Sequence, residues 1–438
     1  MNFFGPNTLV VLLGTTILGV AGGTVGTFLL LRKRALMGDV VGHASLPGLI
    51  IAYIVLEAFR KGSGKTVVGL LAGAFISSLL AMLAVVALRR FPRIKEDAAM
   101  AIVLSVFFGL GAALLSVVQR IQTGSEAGLP QFINGFTASM VESDVWLIAG
   151  ACLIVLCVCG ALMKEFSLVA FDEQFAAAQG WPVHVLDVVL MGLVVGVTIV
   201  GLQAVGLLLI VAILIVPAAA ARFWTDHLPT MTLVAAGLGG VSAATGTIVS
   251  SQSRIPAGPI IVLTAAGFFA LSLALGAQRG LLRRMAADWQ MRRRVGRQHL
   301  LRAMYEALEA HAPAGTLLPG DGVAVNELQA FRSSSTVEWI RLLSQARHEG
   351  LVEAAGDDRW RFTPAGAEEA ARVVRNHRLW ELYLINYADV AATHVDRDAD
   401  MIEHVLRPEL VRELEELLSR QYPAGIVPPS PHLIESQK

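Results

Sequence analysis

Arg32-Lys33-Arg34-Ala35-Leu36-Met37-Gly38-Asp39-Val40-Val41-Gly42-His43-Ala44-Ser45-Leu46-Pro47 opens an apolar run near the start of a chain of 438 residues, 55% of them hydrophobic. The three leading cations mark a bilayer boundary, and the run behind them predicts a membrane-spanning helix that carries Asp39 and His43. Taking a carboxylate and an imidazole out of water costs on the order of several kcal/mol, so such a pair persists mainly where it faces a polar path or binds something. One helical turn separates the two, which points both side chains the same way. A carboxylate oxygen and an imidazole nitrogen on one face suit a borderline divalent transition metal such as Mn, Zn or Fe, and they suit an organic solute poorly. For Asp39 the competing assignment is a helix N-cap at the membrane surface, a place Asp favours.

Outward from this stretch, apolar segments fall at 7–31, 40–58, 66–88, 98–118, 145–163, 185–203, 205–222, 231–250 and 257–278, each near the length one spanning helix needs. Nine spans are expected, or eight if the short break around Gln203 and Gly206 does not divide a pair. Taking the basic clusters as cytoplasmic puts Arg32–Arg34, Arg89, Arg90, Arg93 and Lys95, Arg222, and the run from Arg279 to Arg297 on one side. That places the N-terminus outside and the last third of the chain inside, with Arg60, Lys61 and Lys65 as the exceptions. The start lacks the basic region of a cleavable leader, so the first run reads as a retained span. Glycines at 19, 22, 23 and 26 and at 237, 239, 240 and 246 predict surfaces where helices approach closely. Cys152, Cys157 and Cys159 share one apolar run and read as small hydrophobes rather than a disulfide framework. Acidic and basic residues balance at 35 each, which argues neither for nor against an anionic partner.

Between the fifth and sixth spans, Phe171-Asp-Glu-Gln-Phe-Ala-Ala-Ala-Gln-Gly-Trp-Pro predicts a short amphipathic helix ended by Gly180 and Pro182, a knob or an ordinary solvated connector. Residues 34–48, the loop 172–180 and the segment Gly206-Leu-Leu-Leu-Ile-Val-Ala-Ile-Leu-Ile-Val-Pro-Ala-Ala-Ala-Ala221 together resemble the manganese/zinc/iron permease family of ABC importers over about the first 280 residues. The resemblance implies an integral permease that pairs with an identical or sister permease, and that receives metal from an extracytoplasmic metal-binding protein. It also implies two ABC ATPase subunits bound through the loop containing Asp172, Glu173, Ala177 and Gly180, and metal coordination in the path by Asp39 and His43. No G-x-x-x-x-G-K-[ST] pattern occurs in the chain, so the expectation is a transport subunit without an ATP site of its own.

The basic connector 281–297 is expected to run along membrane lipid or into the cytoplasm. Beyond it, helices at His299–Ala310, Asn326–Phe331 and Ser333–Gly350, followed by a hairpin over 351–364, make a winged helix-turn-helix across 298–372. With the helical segment 373–420 and a tail at 421–438, the fold class is an all-α polytopic membrane protein of eight to nine transmembrane helices plus a cytoplasmic winged-helix and helical dimerisation domain. Residues 298–420 are similar to the iron- and manganese-dependent repressor family, which uses the wing module on DNA and the following helices to dimerise. The positions matching its metal ligands are His299, His377, Glu381, Asp400, Glu403 and His404. His377 with Glu381 and Asp400 with His404 are i,i+4 pairs with donors suited to Mn, Fe or Zn. Arg302 departs from the pattern, standing where manganese-selective members carry a further acid, and a cation there repels a metal. Nucleic acid is the less favoured partner: Arg341, Arg347, Arg359 and Arg361 are candidates for phosphate contact, but Glu338 and Trp339 replace the small polar residues of a groove-reading helix. The resulting expectation is a metal importer permease whose tail senses the imported ion; the alternatives are a membrane-anchored metal-responsive transcription regulator and a tail that only dimerises.

Overall fold

The computed structural model describes residues 6–59, 67–89, 91–120, 137, 140–253, 255–311, 322–331, 335–356, 358–387, 413–414 and 427–428. Two compact units divide between Arg284 and Met285.

The first unit contains α1 (Pro6–Leu31), α2 (Met37–Phe59), α3 (Val67–Leu88), α4 (Glu96–Arg120), α5 (Glu142–Ala161), α6 (Met163–Phe171), α7 (Glu173–Ala178), α8 (Val183–Val205), α9 (Leu207–Ala221), α10 (Leu228–Ser253) and α11 (Ala257–Leu275). Eight of these are long and apolar enough to cross a membrane. The division expected near Gly206 is present. Gly206 has φ 84°, a left-handed conformation that glycine tolerates, and it separates α8 from α9. At 15 residues α9 is about 22 Å long, short of the hydrocarbon thickness, so the ninth apolar run is a shorter helix inside the bundle. Its apolar length in sequence had included Arg222, which lies in the following turn. The helix after the knob, expected over 185–203, runs from Val183 to Val205.

Two groups of helices meet in the core. α1 lies along α10 and also packs on α9, α5 and α8, while α2 packs on α3 and α4 and reaches α8 and α9. Leu18, Phe28, Met37, Leu49, Ile50, Met82, Met100 and Ile148 are fully enclosed between them. Of the cysteines, Cys152 and Cys159 are buried and Cys157 is exposed; all three are free thiols.

Glycine makes the α1 seams possible. A Cβ on Gly19 would lie 2.4 Å from the Gly239 carbonyl oxygen, one on Gly23 would lie 2.3 Å from that of Ala235, and one on Gly26 would lie 1.7 Å from that of Leu214. Backbones this close exchange dispersion contacts that any side chain would block. Gly237, by contrast, faces open space. Gly26→Val is therefore expected to remove most folded protein from the membrane, and Gly237→Val to leave it nearly unchanged, as read by the monodisperse peak in detergent size-exclusion chromatography. The rising contacts of α1 against falling positions in α10 make the pair antiparallel. Leu30 meets Ala221 and Met231, and Phe223 accepts hydrogen bonds from the backbone N–H groups of Gln278 and Arg279. The end of α1, the start of α10 and the point where the chain leaves this unit thus share one end of the bundle.

The second unit is the winged-helix tail. The division falls inside α12 (Leu281–His311), a single helix where a connector and a separate helix were expected. Then come β1 (Val323–Ala324), α13 (Val325–Phe331), α14 (Thr336–His348), β2 (Val352–Ala354), β3 (Arg359–Phe362) and α15 (Pro364–Tyr387). Ser335 caps α14, its Oγ accepting the Glu338 N–H at 3.3 Å, and Gly350 at φ 74° lies just past the helix end. The expected hairpin is β2–β3, with Val352 opposite Phe362 and Ala354 opposite Trp360. The added strand β1 pairs with the other edge of β3. The core comprises Leu300, Leu301, Met304, Leu328, Leu343, Val374 and Trp339, which is only 1% exposed. Trp339 therefore points inward and is absent from the outer face of α14, where Val337, Glu338 and Ile340 are exposed instead.

Candidate functional site

α2 begins at Met37, which sets Asp39 in its first turn and His43 one turn deeper. Gly38 and Gly42 of the same helix fit against Leu214 and Leu207 of α9. Asp39 and His43, one residue on and so about 100° round the helix, are turned away from that seam. His43 Nε2 lies 3.4 Å from Asp39 Oδ1, with side chains 26% and 38% exposed respectively. The ring packs edge-on against Phe108 of α4, centroids 5.0 Å apart, and Nδ1 is buried with no hydrogen-bond partner among the described residues. A donor separation of 3.4 Å is long for a hydrogen bond, but it equals the spacing of about 3.4 Å between two ligands of one tetrahedral ion with bonds of about 2.1 Å. Among the described residues no third His, Cys, Asp or Glu completes a metal-holding group there. One copy of the chain therefore presents two donors on a face that remains open.

A turn before α2 the chain carries an ion cluster that sequence reading missed. Arg34, 2% exposed, donates to Asp187 Oδ1 of α8 at 2.5 Å and to Glu96 at the start of α4. Arg32 reaches Asp187 at 2.8 Å, the Val169 carbonyl at the end of α6 at 2.9 Å, and Glu173 of α7 at 3.2 Å. Arg89 adds contacts of 3.4 Å to Asp187 and 3.3 Å to Glu96. Burial works against charge on the Arg34 guanidinium, but the neighbouring Asp187 and Glu96 carboxylates outweigh it and hold its pKa above the usual range. These residues tie the α1–α2 turn, α3, α4, α6, α7 and α8 together at one end of the bundle. The available signal was Asp187, an acid placed five residues into a very apolar helix.

The knob is α7, six residues long. Asp172 caps it, Oδ1 accepting the Phe175 N–H at 2.8 Å, and Gly180 at φ 85° turns the chain away. Ala176 packs inward, whereas Glu173 and Ala177 face outward. Phe171, Phe175 and Trp181 are largely exposed around them.

In the tail, His377 and Glu381 are brought together on α15. His377 Nε2 lies 3.2 Å from Glu381 Oε1, and both side chains are fully buried. Arg302 of α12 meets the other ring nitrogen, Nη1 to Nδ1 at 3.1 Å. His299 sits one turn before Arg302, partly buried. Asp400, Glu403 and His404 lie outside the described residues. Of the arginines considered for phosphate contact, Arg359 is bound to Glu327 at 3.0 Å and Arg361 to Glu353 at 2.6 Å.

Comparison with known proteins adds the following. Residues 6–276 match the ABC 3 transport family, and residues 363–422 match the iron dependent repressor, metal binding and dimerisation domain. The manganese transport system membrane protein MntC of Bacillus subtilis (strain 168) is 35% identical over 409 residues, covering 93% of this chain and 90% of that protein. An aligned length of 409 residues reaches well into the tail. The zinc transport system membrane protein TroC of Treponema pallidum is 40% identical over 295 residues, 67% of this chain and 96% of that one. Among solved structures, PsaBC from Streptococcus pneumoniae in complex with Fab superposes with a TM-score of 0.56 at 29% identity, over 64% of this chain and 96% of that one. With eight apolar helices of spanning length and a family match over all of them, this multi-pass membrane protein belongs to the ABC 3 transport family.

Proposed function

We infer that the chain is the permease subunit of an ABC importer for a divalent transition metal, with Asp39 and His43 handling the ion in the path. The observation that carries this reading is the open two-donor face on α2: an ionisable pair in a spanning helix, spaced for one ion and partly exposed, is stable in a membrane only if something polar or another protein surface covers it. A second, identical or sister permease across that face would enclose the path and supply further ligands. Relatives named for manganese and for zinc transport support the cargo class; imidazole and carboxylate donors do not by themselves choose between Mn, Zn and Fe. An extracytoplasmic metal-binding protein would deliver the ion.

The clustered cations Arg32, Arg34 and Arg89 support assigning their end of the bundle to the cytoplasm, and the chain leaves the membrane unit at that same end, which supports a cytoplasmic tail. Along the first half of α12, exposed Leu281, Leu282, Met285 and Trp289 beside Arg283, Arg284, Arg292 and Arg293 suit an anionic lipid surface. α7 is the surface on which ATPase subunits would push, and Arg32 carries its movement toward the turn before Asp39. The test is disulfide cross-linking in membranes: Ala177→Cys, on the outward face of α7, is expected to couple to a cysteine-bearing ATPase and to shift on addition of ATP. Uptake that proceeds without any such cross-link, or without the ATPase, would overturn the reading.

A further inference from the structure

Between Arg279 and Arg297 the chain carries seven arginines and one acid, Asp288. Carboxylates answer three of the seven: Arg279 donates to Asp226 at 2.7 Å, and Arg293 and Arg297 lie 4.0 and 3.1 Å from Glu349. Arg284, Arg292 and Arg294 are exposed and have no acidic partner among the described residues. α12 is one unbroken helix through this stretch, so Leu281, Met285 and Trp289, four residues apart, fall in line on one face with Leu282 at its edge. All four are at least 50% exposed. The line ends at Gly296, where a Cβ would lie 2.7 Å from Leu342 Cδ2 and the helix enters the tail's own core. At its other end the stripe starts six residues after Leu275 closes α11, a chain reach of at most about 20 Å from a spanning helix. That start is fixed to the bundle, since the Phe223 carbonyl accepts the N–H groups of Gln278 and Arg279 at 3.0 and 3.2 Å.

We propose that the first half of α12 is a docking surface for anionic phospholipid: the four apolar side chains sit among the uppermost acyl carbons, and Arg284 and Arg292 bind headgroup phosphates. A helix with one narrow apolar face, an indole and unanswered arginines binds in the plane of the interface rather than across it. An arginine's long stem follows the apolar face while its planar head matches phosphate oxygens two at a time. Arg284 flanks the stripe and Arg292 closes it after Trp289, so both reach the same plane. The Arg293 guanidinium, 4.5 Å from the centre of the Trp289 ring, keeps a third cation there. Charge decides the occupant. A second protein surface would have to bring carboxylates placed for these cations, whereas an anionic leaflet presents phosphates all along a helix that begins at the bilayer's edge. A zwitterionic leaflet cancels each phosphate with an ammonium and should hold the segment more weakly. The docking rests on the placing of α12 beside lipid proposed above, and it is independent of the cargo.

The test uses the full-length protein with Cys152, Cys157 and Cys159 replaced by Ala and a single spin-labelled cysteine, Met285→Cys or Trp289→Cys on the stripe or Ala287→Cys on the opposite face. Each is placed in nanodiscs of phosphatidylcholine alone or in an equal mixture with phosphatidylglycerol. Collisions with oxygen, which concentrates in the bilayer, and with a water-soluble nickel chelate are then read by power saturation. In the anionic discs the labels at 285 and 289 should meet oxygen and be shielded from nickel, while the label at 287 meets nickel in both lipids. Zwitterionic lipid, raised salt, or Arg284→Gln with Arg292→Gln should return the stripe labels to water; for the two substitutions the ratio of docked to undocked helix should fall about 30-fold. Nickel access at 285 and 289 in anionic discs would overturn the proposal. So would shielding from both reagents, which means that protein covers the stripe, or oxygen access that ignores headgroup charge and both substitutions. Transport and docking fail separately: a His43→Ala chain without metal uptake should still show docked labels, whereas water-exposed labels in a transporting chain remove the lipid site alone.

Discussion

His43→Ala is expected to reach the membrane in normal amount and to lose metal uptake by at least about 100-fold. Removing even an outer-shell partner of a bound metal costs about 10–100-fold in affinity, and among the described residues His43 is one of two donors at this site, so the loss should meet or exceed the upper value. The fold should survive, because the ring is a quarter exposed and its one aromatic neighbour, Phe108, is itself on the surface of the single chain. Asp39→Asn keeps the shape and removes the charge, and should cut uptake without changing which metals compete. ATP hydrolysis by the assembled transporter should persist in both variants, uncoupled from cargo. The measurement is metal accumulation in proteoliposomes normalised to permease content. If His43→Ala transports within a few-fold of the parent, the pair is not on the route and the assignment of cargo falls with it.

Asp187→Ala should be the most damaging single change in the membrane unit outside the glycine seams. Its carboxylate is contacted by Arg34, Arg32 and Arg89, and truncation leaves three guanidiniums crowded in a largely buried space. Breaking a buried pair by removing one partner costs about 3–5 kcal/mol, against a total stability of about 5–15 kcal/mol for a folded domain. Membranes should therefore hold little folded Asp187→Ala protein, and Arg34→Met added to it should restore part of the loss by removing the most enclosed of the stranded charges. Asp187→Glu, which keeps the charge at a different reach, should fold but weaken the link from Arg32 to Glu173. In that variant ATP hydrolysis continues while uptake per ATP drops. Normal abundance and normal uptake by Asp187→Ala would show that the cluster neither holds the bundle nor transmits force.

Much of this architecture could be read from residue order. Apolar run lengths located the spans, Gly206 located the break between α8 and α9, and Gly180 located the end of the knob. The wing was visible as two short β-prone runs on either side of Gly356. The Asp39–His43 pairing followed from helical spacing alone. What escaped was long-range. Arg34 was taken as a water-facing boundary marker, because its burial depends on Glu96 and Asp187, 62 and 153 positions away. Trp339 was placed on the outer face because Val337, Trp339, Ile340, Leu342 and Leu343 surround α14 on more than one side and define no single apolar stripe. β1 is two residues long, too short for an alternation to register, and exists only through its pairing with β3. Arg302 was noticed as an obstacle to metal binding, but its bond to His377 required knowing how α12 meets α15.

The exposed aromatics around α7 have a consequence for how the cell must supply this protein. Phe171, Phe175 and Trp181 are exposed around α7, and on the proposal that ATPase subunits bind there, a permease made without them would carry those rings uncovered. On that proposal, surplus copies are expected to clump or be degraded, and making the ATPase alongside the permease should raise the yield of folded permease.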